Sequence, residues 1–142
     1  MCKRYLSILI ITSILVATMA TPFALAESRA SDYFTRYGAS LSPGDSSGEL
    51  DLTYSVSTVA TGISRLGIVA IFVYRTDGSI ARIITGNTTN GLIETSGPVA
   101  CGTYTITMEP GVAYYCAIRF IAENYTGNDI RYYTTNTAVA PL

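Results

Sequence analysis

The chain has 142 residues, 49% of them hydrophobic and 11% aromatic, and it contains no histidine and no tryptophan. The lack of histidine excludes Ser-His-Asp and Cys-His catalysis in their usual forms, together with imidazole ligation of a metal ion. Nine basic and ten acidic residues give a formal net charge of −1. The arginines are scattered singly, which argues against nucleic-acid binding, because that function needs a clustered basic patch.

Residues 1–26 are predicted to be a secretory signal peptide. Two cations near the start precede an apolar stretch, Leu6–Met19, and small residues precede a predicted cleavage site between Ala26 and Glu27. The apolar stretch has about 14 residues, fewer than the roughly 20 that a membrane-spanning helix needs, so a membrane anchor is the less favoured alternative. We therefore expect a secreted or envelope-associated protein with no membrane segment after removal of the signal.

Residues 27–142 have a length that suits one domain with a single core. They carry seven arginines and ten acidic residues, which gives a net charge of −3. Cys101 and Cys116 are predicted to form one disulfide, as expected for an exported chain. The chain-entropy model assigns roughly 3 kcal/mol to closing such a loop of about 15 residues. The alternative is two buried free thiols, because cysteine packs well as a small hydrophobic residue.

Hydrophobicity alternates with a period of two along residues 27–142, and no stretch has a convincing helical period. Clusters of Gly, Asn, Asp, Ser and Pro separate the alternating stretches, as turns do. The pattern predicts seven strands, at residues 32–41, 49–59, 65–75, 80–86, 103–108, 112–125 and 130–139. Residues 87–102 are predicted to form a long loop. The expected fold class is all-β, an antiparallel sandwich of two sheets.

Two of these stretches differ in their patterns. ELDLTYSVSTV, over residues 49–59, alternates strictly and predicts a strand with one buried and one wet face. RLGIVAIFVYR, over residues 65–75, is continuously apolar between two arginines. Such a run predicts a central strand that is covered on both sides, or one whose surroundings change along its length.

The stretch GVAYYCAIRFIA, over residues 111–122, has the layout of the sixth strand of an immunoglobulin domain. Tyr114 lies two residues before Cys116, where the tyrosine-corner residue of that fold lies. Tyr54 occupies the place expected for an intersheet partner cysteine, and the core tryptophan of antibody domains is missing. We therefore predict an immunoglobulin-like outline in which the Cys101–Cys116 bridge is a local staple rather than a core disulfide.

The segment GVAYYCAIRFIAENYTGNDIRYYTTNTAVA, over residues 111–140, resembles the ending of a group of small exported proteins from Gram-positive, largely gut-associated bacteria. The matching residues are Gly111, Tyr114, Phe120, Ala122-Glu123-Asn124, Gly127, Asp129, Arg131 and Thr135-Asn136. Residues 32–56 are similar in layout, and with the strand at 68–75 the resemblance covers most of residues 27–142. It implies an exported β-sandwich, but it implies no activity and no functional residues. The cysteine pair lies outside the shared pattern.

Acidic residues are the remaining candidates for catalysis or metal binding. A pair of carboxylates can hydrolyse a glycosidic bond. The candidate acids are Asp45, Glu49, Asp51, Glu94, Glu109 and Glu123. The segment DSSGELD, over residues 45–51, offers oxygen donors for calcium, but its spacing differs from that of an EF-hand loop and a polar turn explains it. We expect no enzymatic activity, no metal ion and no cofactor.

Two adjacent pairs of tyrosines supply the candidate binding surface. Neighbouring residues of a strand face opposite ways, so one tyrosine of each pair points away from the core. The candidates are Tyr115, Tyr132 and Tyr133. Exposed tyrosines can stack on sugars or anchor a protein partner, since Tyr is enriched at protein–protein interfaces. The alternative is that these tyrosines belong to the sandwich core and to an ordinary amphipathic surface. The predicted function is a non-catalytic binding module for a protein ligand, with carbohydrate binding or a carboxylate-based hydrolase as alternatives.

Overall fold

A computed structural model describes residues 32–142, and the predicted signal peptide with its cleavage site between Ala26 and Glu27 lies outside the described residues. The described chain forms nine strands, two more than the seven predicted. They are β1 (Phe34–Pro43), β2 (Glu49–Thr58), β3 (Ile63–Arg75), β4 (Ile80–Thr85), β5 (Ile93–Glu94), β6 (Val99–Thr107), β7 (Ala113–Asn124), β8 (Gly127–Thr134) and β9 (Ala138–Val139). Within residues 32–142, no helix is long and apolar enough to cross a membrane.

The nine strands form two antiparallel sheets. A three-stranded sheet has the order β1-β2-β6. A six-stranded sheet has the order β4-β3-β7-β8, with β5 beside β3 and β9 beside β7. The predicted fold class, an all-β antiparallel sandwich of two sheets, is confirmed at this level.

The core lies between the two sheets and takes side chains from both. On β2, Leu50, Leu52 and Val56 are completely buried, whereas Thr53 and Ser55 face outward, as the alternation predicts. The six-stranded sheet contributes Leu66, Ile68, Ile71, Val73, Tyr114, Ile118 and Phe120, none of which is accessible to solvent. Both sheets therefore share one hydrophobic core.

The predicted loop over residues 87–102 is wrong in two places, because β5 lies inside it and β6 begins at Val99. The register pairs Val99 with Ser57 and Gly102 with Tyr54, so residues 99–102 extend the ladder between β2 and β6. Glycine and proline near this point give a turn signal in the sequence. The hydrogen bonds available along the length of β2 override that local signal.

The predicted disulfide between Cys101 and Cys116 is not formed, and both cysteines are free. Cys101 is exposed and pairs with Ser55 on the outer side of the three-stranded sheet. Cys116 is completely buried and pairs with Val73 in the other sheet. A disulfide needs Cα atoms within about 7 Å and side chains that approach each other, whereas packed sheets are about 10 Å apart. Because the Cys101 side chain faces away from the core, the arrangement keeps the two thiols apart.

Candidate binding surface

The outer side of the six-stranded sheet is built by alternation along its two central strands. On β7, Cys116 and Ile118 point into the core, so Tyr115, Ala117 and Arg119 point away from it. Residues that pair across neighbouring strands share a face of the sheet. The side chains that flank this part of β7 therefore belong to the same outer surface.

The register identifies those flanking side chains. Arg119 pairs with Ala70 on β3 and with Tyr132 on β8. Ala117 pairs with Phe72, and Phe72 pairs in turn with Ile83 on the edge strand β4. Tyr74 pairs with Tyr115. We call this surface the aromatic face and define it by Phe72, Tyr74, Ile83, Tyr115, Arg119 and Tyr132.

Large apolar side chains on the aromatic face remain open to solvent. Tyr132 is 70% exposed and Ile83 is 56% exposed, while Phe72 is half-buried. The rings of Tyr74 and Tyr115 stack with centroids 5.3 Å apart and an interplanar angle of 11°. From the usual spacing of strands and residues, the footprint of the aromatic face on the sheet is roughly 400 Å². Contiguous apolar patches that are exposed on a monomer are often functional.

One end of the aromatic face is closed. Ile121, two residues beyond Arg119 on the same side of β7, is only 5% exposed. It pairs with Gly67, which pairs with Ile93, itself 4% exposed. These two isoleucines are buried without belonging to the core between the sheets. The uncovered part of the surface therefore extends from Arg119 towards Tyr115.

Arg119 is the one charged residue among those that define the aromatic face. Its Nε is buried and has no hydrogen-bond partner within the described chain. Within residues 32–142, three other arginines form ion pairs: Arg65 with Glu123, Arg75 with Glu109 and Arg131 with Asp129. Arg119 makes no such contact with residues 32–142, so a planar group rich in N–H donors stands in an apolar setting without an acceptor.

The structure brings together two of the three tyrosines predicted as a binding surface. Tyr115 and Tyr132 both lie on the aromatic face. Tyr133 lies on the other side of β8, where it pairs with the buried Ile118. Its ring makes an edge contact with Tyr37 at a centroid distance of 6.5 Å, and it is 36% exposed. Tyr133 therefore lies on the core side of β8 while remaining partly open to solvent.

Sequence reasoning did not identify Phe72, Tyr74, Ile83 or Arg119 as surface residues. The available signal was the continuously apolar stretch over residues 65–75, which contains Phe72 and Tyr74. In a two-sheet sandwich without helices, the core covers only one side of each sheet. Apolar residues on the other side of such a strand must then be either covered by a loop or exposed.

Four of the six acidic candidates are held by local contacts. These contacts are Glu49 with Ser46 N at 3.2 Å, Asp51 with Thr105 Oγ1 at 2.7 Å, Glu109 with Arg75 at 3.9 Å and Glu123 with Arg65 at 3.3 Å. Asp45 is exposed in the turn before β2. The remaining candidate, Glu94, acts on Tyr54. Burial is the larger cause that raises the pKa of the Tyr54 hydroxyl, and the negative charge of Glu94 is the next. Over residues 32–142, no three acids or cysteines form a group that could hold a metal ion.

The outer side of the three-stranded sheet is polar instead. Thr53 and Thr103 share a hydrogen bond of 3.2 Å between their hydroxyls. A shallow groove of about 290 Å³ runs beside Gly38 and Ser40 and is also lined by Thr53 and Ser55. The two outer surfaces of the sandwich therefore have opposite character, one hydroxyl-rich and one aromatic.

No family model, no curated protein and no solved structure matches this chain at a significant level.

Proposed function

We propose that this protein is an exported, non-catalytic binding module that engages a protein partner through the aromatic face. The observation that carries the proposal is the open apolar surface of the six-stranded sheet, with Arg119 on the central strand β7 at one end of the open part. Interface hot spots are enriched in Tyr and Arg, and they lie where apolar contact excludes water. Tyr115, Tyr132 and Arg119 supply these residue types on one sheet.

Export is proposed from the signal-like sequence over residues 1–26. The resemblance of residues 111–140 to a group of small exported bacterial proteins supports the same compartment. An immunoglobulin-like arrangement is proposed from strand order. If β1, β2 and β6 are strands A, B and E, then β4, β3, β7 and β8 correspond to C′, C, F and G.

A non-catalytic role is supported by the way the acids are used. Asp51 accepts a hydrogen bond from Thr105, and Glu123 pairs with Arg65. Both carboxylates are partly exposed, and they lie on different sheets. A pair of hydrolytic carboxylates flanks one scissile bond at a separation of about 5–10 Å, which requires a shared cleft.

A carbohydrate ligand is the second candidate, because Tyr132 is 70% exposed and offers a ring for stacking on a sugar. Two features of the same surface favour a protein. Tyr74 and Tyr115 stack on each other, so each ring has one face already covered. The branched side chain of Ile83 adds apolar area of a kind that fits side-chain packing better than sugar stacking.

The proposal is tested by crosslinking of residues 27–142 to envelope and host-surface proteins with matched variants. The double variant Ile83→Ala/Tyr132→Ala removes exposed apolar area from the aromatic face. The control Val59→Ala/Tyr125→Ala removes the same kinds of side chain elsewhere, since Val59 is 68% and Tyr125 85% exposed. We expect a specific partner to be captured by the wild type and the control, and at least tenfold less by the aromatic-face variant.

Two results contradict the proposal. One is a partner whose capture is equally strong with both double variants, which places binding elsewhere. The other is that no protein is captured, while the chain binds a glycan array and Tyr132→Ala abolishes this binding. That result favours the carbohydrate alternative.

A further inference from the structure

We propose that the partner presents a carboxylate, from an aspartate or glutamate flanked by apolar residues, to Arg119. This inference rests on the proposed function and specifies the chemistry of the ligand. Its first support is that the Arg119 side chain makes neither an ion pair nor a hydrogen bond with residues 32–142, while its Nε is already removed from solvent. A guanidinium in that state gains more from an acceptor than a fully hydrated one does.

The charges around the aromatic face leave Arg119 without compensation. Glu123, the acid on the same side of β7, lies four residues away and is paired with Arg65 at 3.3 Å. The residues that pair with Arg119 are Ala70 and Tyr132, and neither carries a charge. The surface therefore combines apolar area with one uncompensated positive charge. The complementary ligand is apolar with one negative charge.

A carboxylate fits this position better than a neutral acceptor. Hydrogen bonds between a guanidinium and a carboxylate are charge-assisted and roughly twice as strong as neutral ones. The surrounding apolar residues, Phe72 and Ile83 on one side and Tyr132 on the other, exclude water from the pair once a partner is seated. The same residues give no hydrogen bonds to the flanking parts of the ligand except through tyrosine hydroxyls.

A second copy of this chain fits the surface poorly. Two aromatic faces packed against each other offer Arg119 no carboxylate, because Arg119 is the one charged residue among those that define the face. The footprint of roughly 400 Å² matches a small, transient contact rather than the much larger area that each subunit of an obligate dimer contributes. A different protein with an acidic residue in its contact surface meets the charge.

The test uses a display library of random 12-residue peptides, selected on residues 27–142 with the native sequence and, separately, with Arg119→Gln. Selection on the wild type is expected to enrich peptides with one Asp or Glu between aromatic or aliphatic residues. For each enriched peptide, replacing the acid by its amide should weaken binding about tenfold, the size expected for a hydrogen bond between charged groups. Arg119→Gln should weaken the acidic peptide equally and the amide peptide little.

Arg36→Gln is the matched control. Arg36 is exposed on the outer side of the other sheet and makes no ion pair with residues 32–142. Its replacement removes one positive charge without touching the aromatic face, so binding of the acidic peptide should stay within twofold. The acid-to-amide change is made on the peptide and needs no variant protein, so its result stands even if Arg119→Gln alters folding.

The outcomes separate this inference from the proposed function. If the peptides need Ile83 and Tyr132 but bind equally as acid and amide, the carboxylate inference is overturned and the proposed binding module stands. If the selected peptides bind the Ile83→Ala/Tyr132→Ala variant as well as the wild type, both the carboxylate inference and the proposed binding surface are overturned. If glucuronate oligosaccharides bind through Arg119 and acidic peptides do not bind, the ligand is an acidic glycan, and the proposal of a protein partner is overturned. If the protein dimerises with rising concentration and Arg119→Gln abolishes the dimer, the partner is a second copy of this chain, and the proposal of a different protein is overturned.

Discussion

At the scale of single residues, Cys116 couples the stability of the sandwich to alkaline pH. Burial raises the pKa of its thiol from 9.0 to about 12. Between these values the thiol of the unfolded chain is ionised while that of the folded chain is not, so the unfolded state binds fewer protons. The free energy of unfolding therefore falls as pH rises above about 9, by at most about 1.4 kcal/mol per pH unit from this group.

The measurement is urea denaturation at several values between pH 8 and pH 11, for the wild type and for Cys116→Ala. The variant is expected to be less stable throughout but to lose a smaller amount of stability over this range. Tyr54, whose pKa is also raised by burial, contributes a decrease of the same sign in both proteins. Equal losses in the two proteins would show that Cys116 is accessible or already ionised in the folded state.

Of two buried tyrosine hydroxyls, one is hydrogen-bonded within the described chain and the other is not, so their removal should affect stability differently. Tyr114 Oη is buried with no hydrogen-bond partner within the described chain, so the bond of a tyrosine corner is not made there. Tyr54 Oη donates to the Gly91 carbonyl oxygen at 2.8 Å. Tyr54→Phe should lower the free energy of unfolding by about 1 kcal/mol, whereas Tyr114→Phe should leave it unchanged or raise it by up to about 1 kcal/mol. Denaturant titrations of the two variants side by side decide this, and a larger loss for Tyr114→Phe contradicts it.

At the scale of elements, periodicity identified strands well where one face is buried and the other is wet. The alternation of β2 predicted both its extent and its buried residues. A shift by one residue would expose all of its apolar side chains, so only one assignment of residues to the two faces is possible. Pattern reasoning failed where tertiary pairing decides. The start of β6 at Val99 depends on β2 beside it, and the separation of Cys101 from Cys116 depends on which face of each sheet they occupy. Neither quantity is local in sequence.

A contact between β3 and the segment before β5 depends on Gly67. Its φ of +142° lies in the region that favours glycine, and a Cβ there would collide with the Leu92 carbonyl group. That carbonyl accepts a hydrogen bond of 2.7 Å from Ile68 N. Gly67→Ala therefore combines backbone strain with a steric clash, and it should cost at least about 3 kcal/mol of stability.

Gly97→Ala separates the two contributions. Gly97 also has a positive φ, +89°, but a Cβ there meets no atom within 4 Å. Its replacement should cost only the backbone strain, about 1–2 kcal/mol. Thermal and urea unfolding of both variants give the comparison, and equal costs would mean that the segment before β5 moves away freely.

At the scale of the whole molecule, the candidate site was half predictable. Two outward-facing tyrosines followed from the rule that strand neighbours face opposite ways, but the rule does not say which member of a pair faces outward. Tyr133 is the member of its pair that lies on the core side of β8, although it remains 36% exposed. Arg119 could not be singled out, since the lack of a side-chain partner for it within residues 32–142 is a property of β3, β7 and β8 together. The open apolar surface follows from the architecture, because no element of residues 32–142 covers Phe72 and Ile83.

One core shared by two sheets predicts one cooperative unfolding transition. Leu52 on β2 and Ile118 on β7 are both completely buried in that core although they belong to different sheets. Leu52→Ala and Ile118→Ala should each cost about 2–5 kcal/mol and shift the same single transition. Far-ultraviolet circular dichroism and tyrosine fluorescence should give coincident curves for each variant, with or without reductant, because neither cysteine is bridged. Two separate transitions, or a midpoint that falls on adding reductant, would mean that the sheets unfold independently or that a disulfide joins the chain after all.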